Sequence, residues 1–297
     1  MATIHIPVLL KEVLDLLNPQ PNQNFIDCTL GGGGHALEIL KKTSANGKLL
    51  AFDADPEPIK NFFIKATAAG IDHNRFQLIN SNFYNIEYYY EQYFSLPVDG
   101  VLFDLGLSSD QLRDETRGFS FNALGPLDMR FDKKNSQTTA ADILNTYSLE
   151  QLINIFKNLG EEPHARRVAQ AIIKARRRER IITVSQLVEI IRDITGSRRR
   201  LHPATLVFQA LRLAVNQELD NLKKALPEAV KILKAGGRLV VISFHSLEDR
   251  IVKNYFRDLQ RNNLIKILTK KPLVPGCDEL KINPASRSAK LRAVEKL

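Results

Sequence analysis

Asn24-Phe25-Ile26-Asp27-Cys28-Thr29-Leu30-Gly31-Gly32-Gly33-Gly34-His35 decides how this chain is read. Phe25 and Ile26 sit in a short apolar run of the kind that forms a buried strand, and Gly31–Gly34 stop it abruptly. Past His35, the residues Ala36, Leu37, Ile39 and Leu40 recur at the spacing of one helix face. Strand, glycine turn and helix together let a backbone approach a nucleotide-like ligand, because glycine has no Cβ to stand in the way. Gly31-x-Gly33-x-x-Ala36 has the form of the dinucleotide fingerprint, which a tight turn with no ligand also satisfies. A second apolar run, Leu49-Leu50-Ala51-Phe52, ends in Asp53. From that place a doubly wound sheet reads the two ribose hydroxyls of an adenosine.

The alternation continues outward. An amphipathic helix is expected over 6–17, strands near 24–29, 48–53, 75–80 and 98–105, and helices over 34–43, 56–69 and 84–94. This rhythm predicts a parallel sheet covered by helices on both faces. It stops after Asp104. Residues 106–134 form a long Gly-, Pro-, Asp- and Ser-rich segment, and loops of this length are often functional. From 138 to about 200 the pattern is purely helical, with the capping-box forms Ser148-Leu-Glu-Gln151 and Thr183-Val-Ser-Gln186 at two helix starts. Helices over 204–217 and up to Lys234 follow, with Gly236-Gly237 as the stop. A buried strand is expected over 238–244, a helix over 247–260, and strands over 264–269 and 289–295. The expected organisation is a sheet domain in two parts, 1–109 and 201–297, with a helical substrate-recognition domain inserted at 110–200.

Composition sets bounds. At 297 residues, 44% hydrophobic and 25% charged, the chain is an ordinary globular protein able to bury a full core. Two cysteines, Cys28 and Cys277, make neither a disulfide framework nor a Cys-based zinc site, which suits a reducing cytoplasm. No apolar run reaches the ~18 residues of a membrane span, and Lys11, Glu12 and Asp15 interrupt any signal-peptide pattern. The net charge of +9 is concentrated in residues 161–200, at +6, and 253–297, at +7, while the rest of the chain is at −4. Basic zones on a mildly acidic body point to a polyanionic partner, although solvated helix faces produce the same pattern.

Asp27, Asp53 and Asp104 each end an expected strand, so a doubly wound sheet gathers them at one crevice. Three carboxylates repel a pyrophosphate and suit a cationic, zwitterionic ligand; S-adenosylmethionine, with an ammonium, a sulfonium and a ribose diol, is such a ligand. Phe83, after the third strand, is placed either beside an adenine or in the core. Asp104-Leu-Gly-Leu-Ser-Ser-Asp110-Gln111 resembles the acidic motif at which amino-methyltransferases dock the acceptor amine, without its usual Pro-Pro-aromatic segment. Phe119 and Phe121 are the candidates to supply the missing stacking. The six histidines form no metal-binding pair. Ser243-Phe-His245-Ser246 lacks the glycines of a nucleophile elbow, which argues against a hydrolase. His202 and Cys28 read as structural.

The chain resembles, over nearly its whole length, the bacterial 16S rRNA cytosine-N4 methyltransferases of the MraW type. The resemblance is carried by His5-Ile-Pro-Val-Leu, Asp27-Cys-Thr-Leu-Gly-Gly-Gly-Gly-His35, Asp104-Leu-Gly-Leu-Ser-Ser, Arg117-Gly-Phe-Ser-Phe and Gly125-Pro-Leu-Asp-Met-Arg130. Gly160-Glu-Glu, His202-Pro-Ala-Thr205, Phe208-Gln-Ala-Leu-Arg212, Ile242-Ser-Phe-His-Ser-Leu-Glu-Asp-Arg250 and Arg287-Ser-Ala-Lys-Leu-Arg292 extend it. It implies an α/β, doubly wound Rossmann-like sheet that uses S-adenosyl-L-methionine, with an inserted all-helical domain. It implies cofactor contacts at Gly33, Gly34, His35, Asp53, Phe83, Asp104 and Gln111, and methylation of a decoding-site cytidine in 16S rRNA or the small ribosomal subunit. Membrane and metal have no place in that reading, and the oligomeric state stays open.

Cytosine N4 is a weak nucleophile, because its lone pair is delocalised into the ring, so a group must orient the amine and take its proton. Asp104 is the first candidate and Asp128 the second. Arg176, Arg177 and Arg178, with Arg198, Arg199 and Arg200, are the candidates to grip RNA phosphates. Two other readings use the same features: a nicotinamide oxidoreductase built on the glycine turn, and a non-catalytic ribosome-assembly factor built on the charge.

Overall fold

The computed structural model describes residues 6–133, 136–195 and 202–297. The chain begins with α1 (Leu10–Leu17), β1 (Phe25–Asp27), α2 (Gly34–Lys42), β2 (Leu49–Asp53), α3 (Pro56–Ala68), β3 (Phe76–Asn80), α4 (Ile86–Tyr93) and β4 (Val98–Asp104). Helices alone follow: α5 (Ser109–Arg113), α6 (Ala140–Thr146), α7 (Leu149–Asn158), α8 (Ala165–Arg176), α9 (Val184–Thr195) and α10 (Thr205–Asn216). Then come α11 (Glu218–Ile232), β5 (Leu233–Ser243), α12 (Ser246–Arg261), β6 (Ile265–Ile267), α13 (Cys277–Ile282) and β7 (Lys290–Lys296).

The strands form one sheet in the order β3-β2-β1-β4-β5-β7-β6. β1 to β5 pair in parallel, and β7 runs antiparallel to both neighbours. Strands covered on both faces must be apolar throughout rather than alternating, which is why Leu49–Phe52 and Val101–Phe103 are continuous buried runs. Successive side chains serve opposite faces. Phe25 and Leu49 join the core around Val13, Leu40 and Phe62, while Ile26 and Leu50 join the one around Phe52, Phe103, Leu239 and Phe256.

The chain divides into two compact units, Met1–Ser108 with Leu219–Leu297, and Ser109–Glu218. Helix α10 therefore belongs to the helical unit, whereas the sequence reading ended the insert at 200. The reason is packing: α10 lies against α6 and α7. Three further expectations change. The first helix starts at Leu10, since Leu9 adopts a left-handed φ of 52°. Gly236 and Gly237 lie inside β5 rather than stopping a helix. Between the pairs Val98↔Leu233 and Gly100↔Arg238 the β5 chain bulges, and Gly236 takes a φ of 75° there. Helix α13 had no expected counterpart.

In the helical unit both capping boxes form, at Ser148/Gln151 and at Thr183/Gln186. The stretch between Arg117 and Phe131 is tightly pinned. Met129, buried at a φ of 63°, has its carbonyl bonded by Asn216 Nδ2 at 2.8 Å, and Phe131 N–H donates to Asn216 Oδ1 at 2.8 Å. Arg117 donates to the carbonyls of Arg130 and Phe131 at 3.0 and 3.1 Å.

Arg176, one of the RNA candidates, turns inward. Its Nη1 donates to the carbonyls of Leu144 and Tyr147 at 2.8 and 2.6 Å, closing the C-terminal end of α6. Arg176→Ala is expected to lower stability by about 2–3 kcal/mol, the scale of hydrogen bonds from a charged group. Denaturant unfolding monitored by circular dichroism measures it.

Candidate cofactor and catalytic site

The site is built where three neighbouring strands of the first unit end. Cys28 N–H still bonds the Leu102 carbonyl at 2.9 Å; beyond it the chain leaves the sheet. Thr29 then links two carboxylate-bearing strand ends. Its N–H donates to Asp27 Oδ1 at 3.0 Å, and its Oγ1 accepts the Asp104 N–H at 2.6 Å. Leu30 N–H reaches the Phe52 carbonyl at 2.8 Å. Asp53 closes the turn: Oδ2 accepts the Gly31 N–H and Oδ1 the Asp55 N–H, both at 2.9 Å. Lys65 Nζ holds the Gly32 carbonyl from α3 at 3.0 Å.

The glycines are required, but for a reason the sequence reading did not supply. A Cβ on Gly33, whose φ is +68°, would lie 2.3 Å from the Phe62 ring, and one on Gly34 would lie 2.8 Å from Pro7. These two are glycine because the protein itself packs against them. Gly31, at φ +48°, has its nearest neighbour at 3.8 Å; only conformation asks for glycine there.

Charge is the second feature. Asp27 is 1% exposed, and burial pushes its carboxyl up to about 7 against the hydrogen bonds from Thr29, with Asp53 adding to the rise. Burial, then the fields of Asp27 and Glu248, hold Asp104 well above the usual carboxylate range. Asp104 Oδ1 is buried without a hydrogen-bond partner, and Oδ2 lies 3.6 Å from His35 Nδ1. His35 Nε2 is 2.9 Å from the Val8 carbonyl; a carbonyl only accepts, so Nε2 carries a proton. Glu248 was not among the expected site residues. Buried at the start of α12, it accepts the N–H groups of Phe244 at 2.8 Å and His245 at 3.3 Å. The capping-box spacing of His245 and Glu248 was the available signal.

The first unit thus brings Gly33, Gly34, His35, Asp53 and Asp104 to the carboxyl ends of the adjacent strands β2, β1 and β4. Phe83, just past β3, is half-buried and meets Phe103 edge-on, with ring centroids 5.4 Å apart. Gln111 is buried in α5 of the second unit. Asp128, also in the second unit, is clasped by Arg130, Nε at 2.7 Å on Oδ1 and Nη2 at 2.9 Å on Oδ2. Burial works to raise its pKa, but the bonds from Arg130 win and hold it below the ordinary value. Arg177 and Arg178 are exposed; Arg198, Arg199 and Arg200 lie outside the described residues. Among the described residues no cluster of His, Cys, Asp or Glu has the makings of a metal site, and no helix is long and apolar enough to cross a membrane.

A buried carboxylate oxygen without a partner, at the end of a strand beside two further acids, is a receptor for an N–H donor or a cation. The ammonium, sulfonium and diol of S-adenosylmethionine fit that donor set.

A model of the MraW methylase family matches residues 2–297. The chain is 46% identical over 313 residues to "Ribosomal RNA small subunit methyltransferase H" of Thermomicrobium roseum, covering 100% of this chain and 95% of that one. It is 46% identical over 311 residues to the protein of the same name in Halothermothrix orenii, covering 99% and 98%. With that of Carboxydothermus hydrogenoformans it shares 44% identity over 314 residues, covering 100% and 99%.

Asp27 gives a pH signature. Its folded pKa lies above the unfolded value, so the folded state binds the extra proton, and stability present at pH 4 is lost as pH rises through about 7. The cofactor-free protein should lose stability of the order of a few kcal/mol across that window. Asp27→Asn should flatten the slope. Urea unfolding at a series of pH values tests this, and an unchanged slope in the variant would place the titration elsewhere.

Proposed function

We infer, since the chain belongs to the MraW methylase family, that this methyltransferase modifies the exocyclic N4 of a decoding-site cytidine in 16S rRNA with S-adenosylmethionine as donor. The observation that carries this reading is Asp104: half-buried at a strand end, with one carboxylate oxygen, Oδ1, buried and left without a partner. The names of the relatives, small-subunit rRNA methyltransferases, support the substrate class.

The cofactor, when bound, supplies a methyl group made electrophilic by its positively charged sulfur. Asp53 is the acceptor for the ribose hydroxyls, its carboxylate already aimed by the Gly31 and Asp55 N–H groups. The half-buried Phe83 ring offers an apolar surface for the adenine. Asp104 Oδ1 accepts an N–H of the cytosine amine, which points the nitrogen lone pair and removes the proton as the nitrogen rehybridises. A raised pKa makes Asp104 a stronger base than an exposed carboxylate. Asp128 is the weaker candidate, because Arg130 occupies both of its oxygens.

A nitrogen target is favoured over ring carbon C5, whose methylation requires a thiolate to add at C6. Cys28 is buried, and burial holds its thiol well above the ordinary value. Cys28→Ser with Cys277→Ser should therefore keep activity, whereas Asp104→Ala should lose it by roughly 10²-fold or more. Digested product RNA should co-elute with N4-methylcytidine in mass spectrometry; 5-methylcytidine, or an inactive but folded cysteine-free enzyme, would sink the amine mechanism. Asp53→Ala should weaken S-adenosylmethionine binding by about 10–100-fold in calorimetry, since it removes a charged acceptor.

A further inference from the structure

The side chains that helix α8 turns outward are Arg166, Arg167, Gln170 and Lys174, continued by Arg177, which keeps helical angles, and Arg178 in the following turn. At 100° per residue these positions span an arc of about 120° and, from Arg166 to Arg177, a length of about 16 Å. The opposite arc, with Ala165, Val168, Ala169 and Ile172, is buried. No acidic residue occurs in Ala165–Arg176. Among the described residues none of these five cations has an ion-pair partner, while their neighbours are engaged: Arg180 lies 3.6 Å from Asp142, and Arg176 caps α6.

We propose that this stripe is a rail for the sugar–phosphate backbone of the RNA flanking the target nucleotide. Like charges three and four positions apart, such as Lys174 with Arg177 and Arg178, weaken a helix by about 0.2–0.5 kcal/mol per pair. Among the described residues no acid pairs with them to offset that cost; a polyanion does. α8 contains no aromatic residue, so bases find no stacking surface, and long flexible cations recognise phosphates rather than base edges. A lipid surface is a poorer match, because membrane-lying helices insert an apolar face and that of α8 is already packed into its own unit. The stripe differs from the runs named in the sequence reading: Arg176 leaves it, while Arg166, Arg167 and Lys174 enter. It rests on the reading of the substrate as rRNA.

The test compares the full chain with a variant carrying Arg166→Gln, Arg167→Gln, Lys174→Gln and Arg177→Gln, and with one carrying Arg166→Lys, Arg167→Lys and Arg177→Lys. Fluorescence anisotropy follows a decoding-region hairpin and an unrelated hairpin of equal length across a range of salt. In the glutamine variant the plot of log K against log salt should be shallower by about 3, at roughly 0.7–0.9 per lost phosphate contact. Both hairpins should lose affinity alike. The lysine variant should keep the wild-type slope, and both should keep thermal stability and S-adenosylmethionine affinity. A glutamine variant with the wild-type slope overturns the rail. So does one that loses binding only to phosphatidylglycerol vesicles or polyglutamate. Methyl transfer to rRNA by the wild type is scored separately: its absence defeats the proposed function, while the salt slopes still decide the stripe.

Discussion

The carboxylate of Asp53 holds together the loops that leave β1 and β2. One oxygen takes the Gly31 N–H and the other the Asp55 N–H, each at 2.9 Å, so a single side chain fixes both the turn after β1 and the entry into α3. A hydrogen bond to a charged acceptor is stronger than one between neutral groups. Here that strength falls on two backbone segments that have no strand partners of their own. The residue proposed to read a ribose is thus first a fastener of its own backbone.

Around this anchor the protein sustains a costly arrangement. Asp27 and Glu248 are buried, and after the desolvation of the half-buried Asp104 it is their fields that raise its pKa. The oxygens that are satisfied, such as Asp27 Oδ1 on Thr29 and Glu248 on Phe244, tie the acids to backbone. The Asp104 oxygen left over is the exception among these three acids, and a buried polar atom of that kind calls for a physical reason.

Much of this was legible in the chain. Alternating apolar runs and helix faces specified the parallel strands to within a few residues, since burial on both faces leaves a continuous hydrophobic signature. Asp53 and Asp104 were legible because each ends such a run. What escaped depends on contacts distant in sequence. Gly33 and Gly34 are explained by Phe62 and Pro7, and the inward turn of Arg176 by carbonyls about thirty residues upstream. The β5 bulge was read as a helix stop because Gly236-Gly237 serves either purpose locally. Membership of α10 in the helical unit was hidden for the same reason: periodicity defines a helix, not its neighbours.

The place of β7 has a consequence for how the chain comes off the ribosome. This strand is last in order yet lies inside the sheet, bonded to β5 on one side and β6 on the other. Until residues 290–296 emerge, β5 has a bare edge and β6 has no sheet to join. The helical unit, complete by Glu218, faces no such delay. Chain order alone therefore places the whole helical unit before the strand that covers the β5 edge, and an uncovered strand edge is the feature most prone to stray pairing.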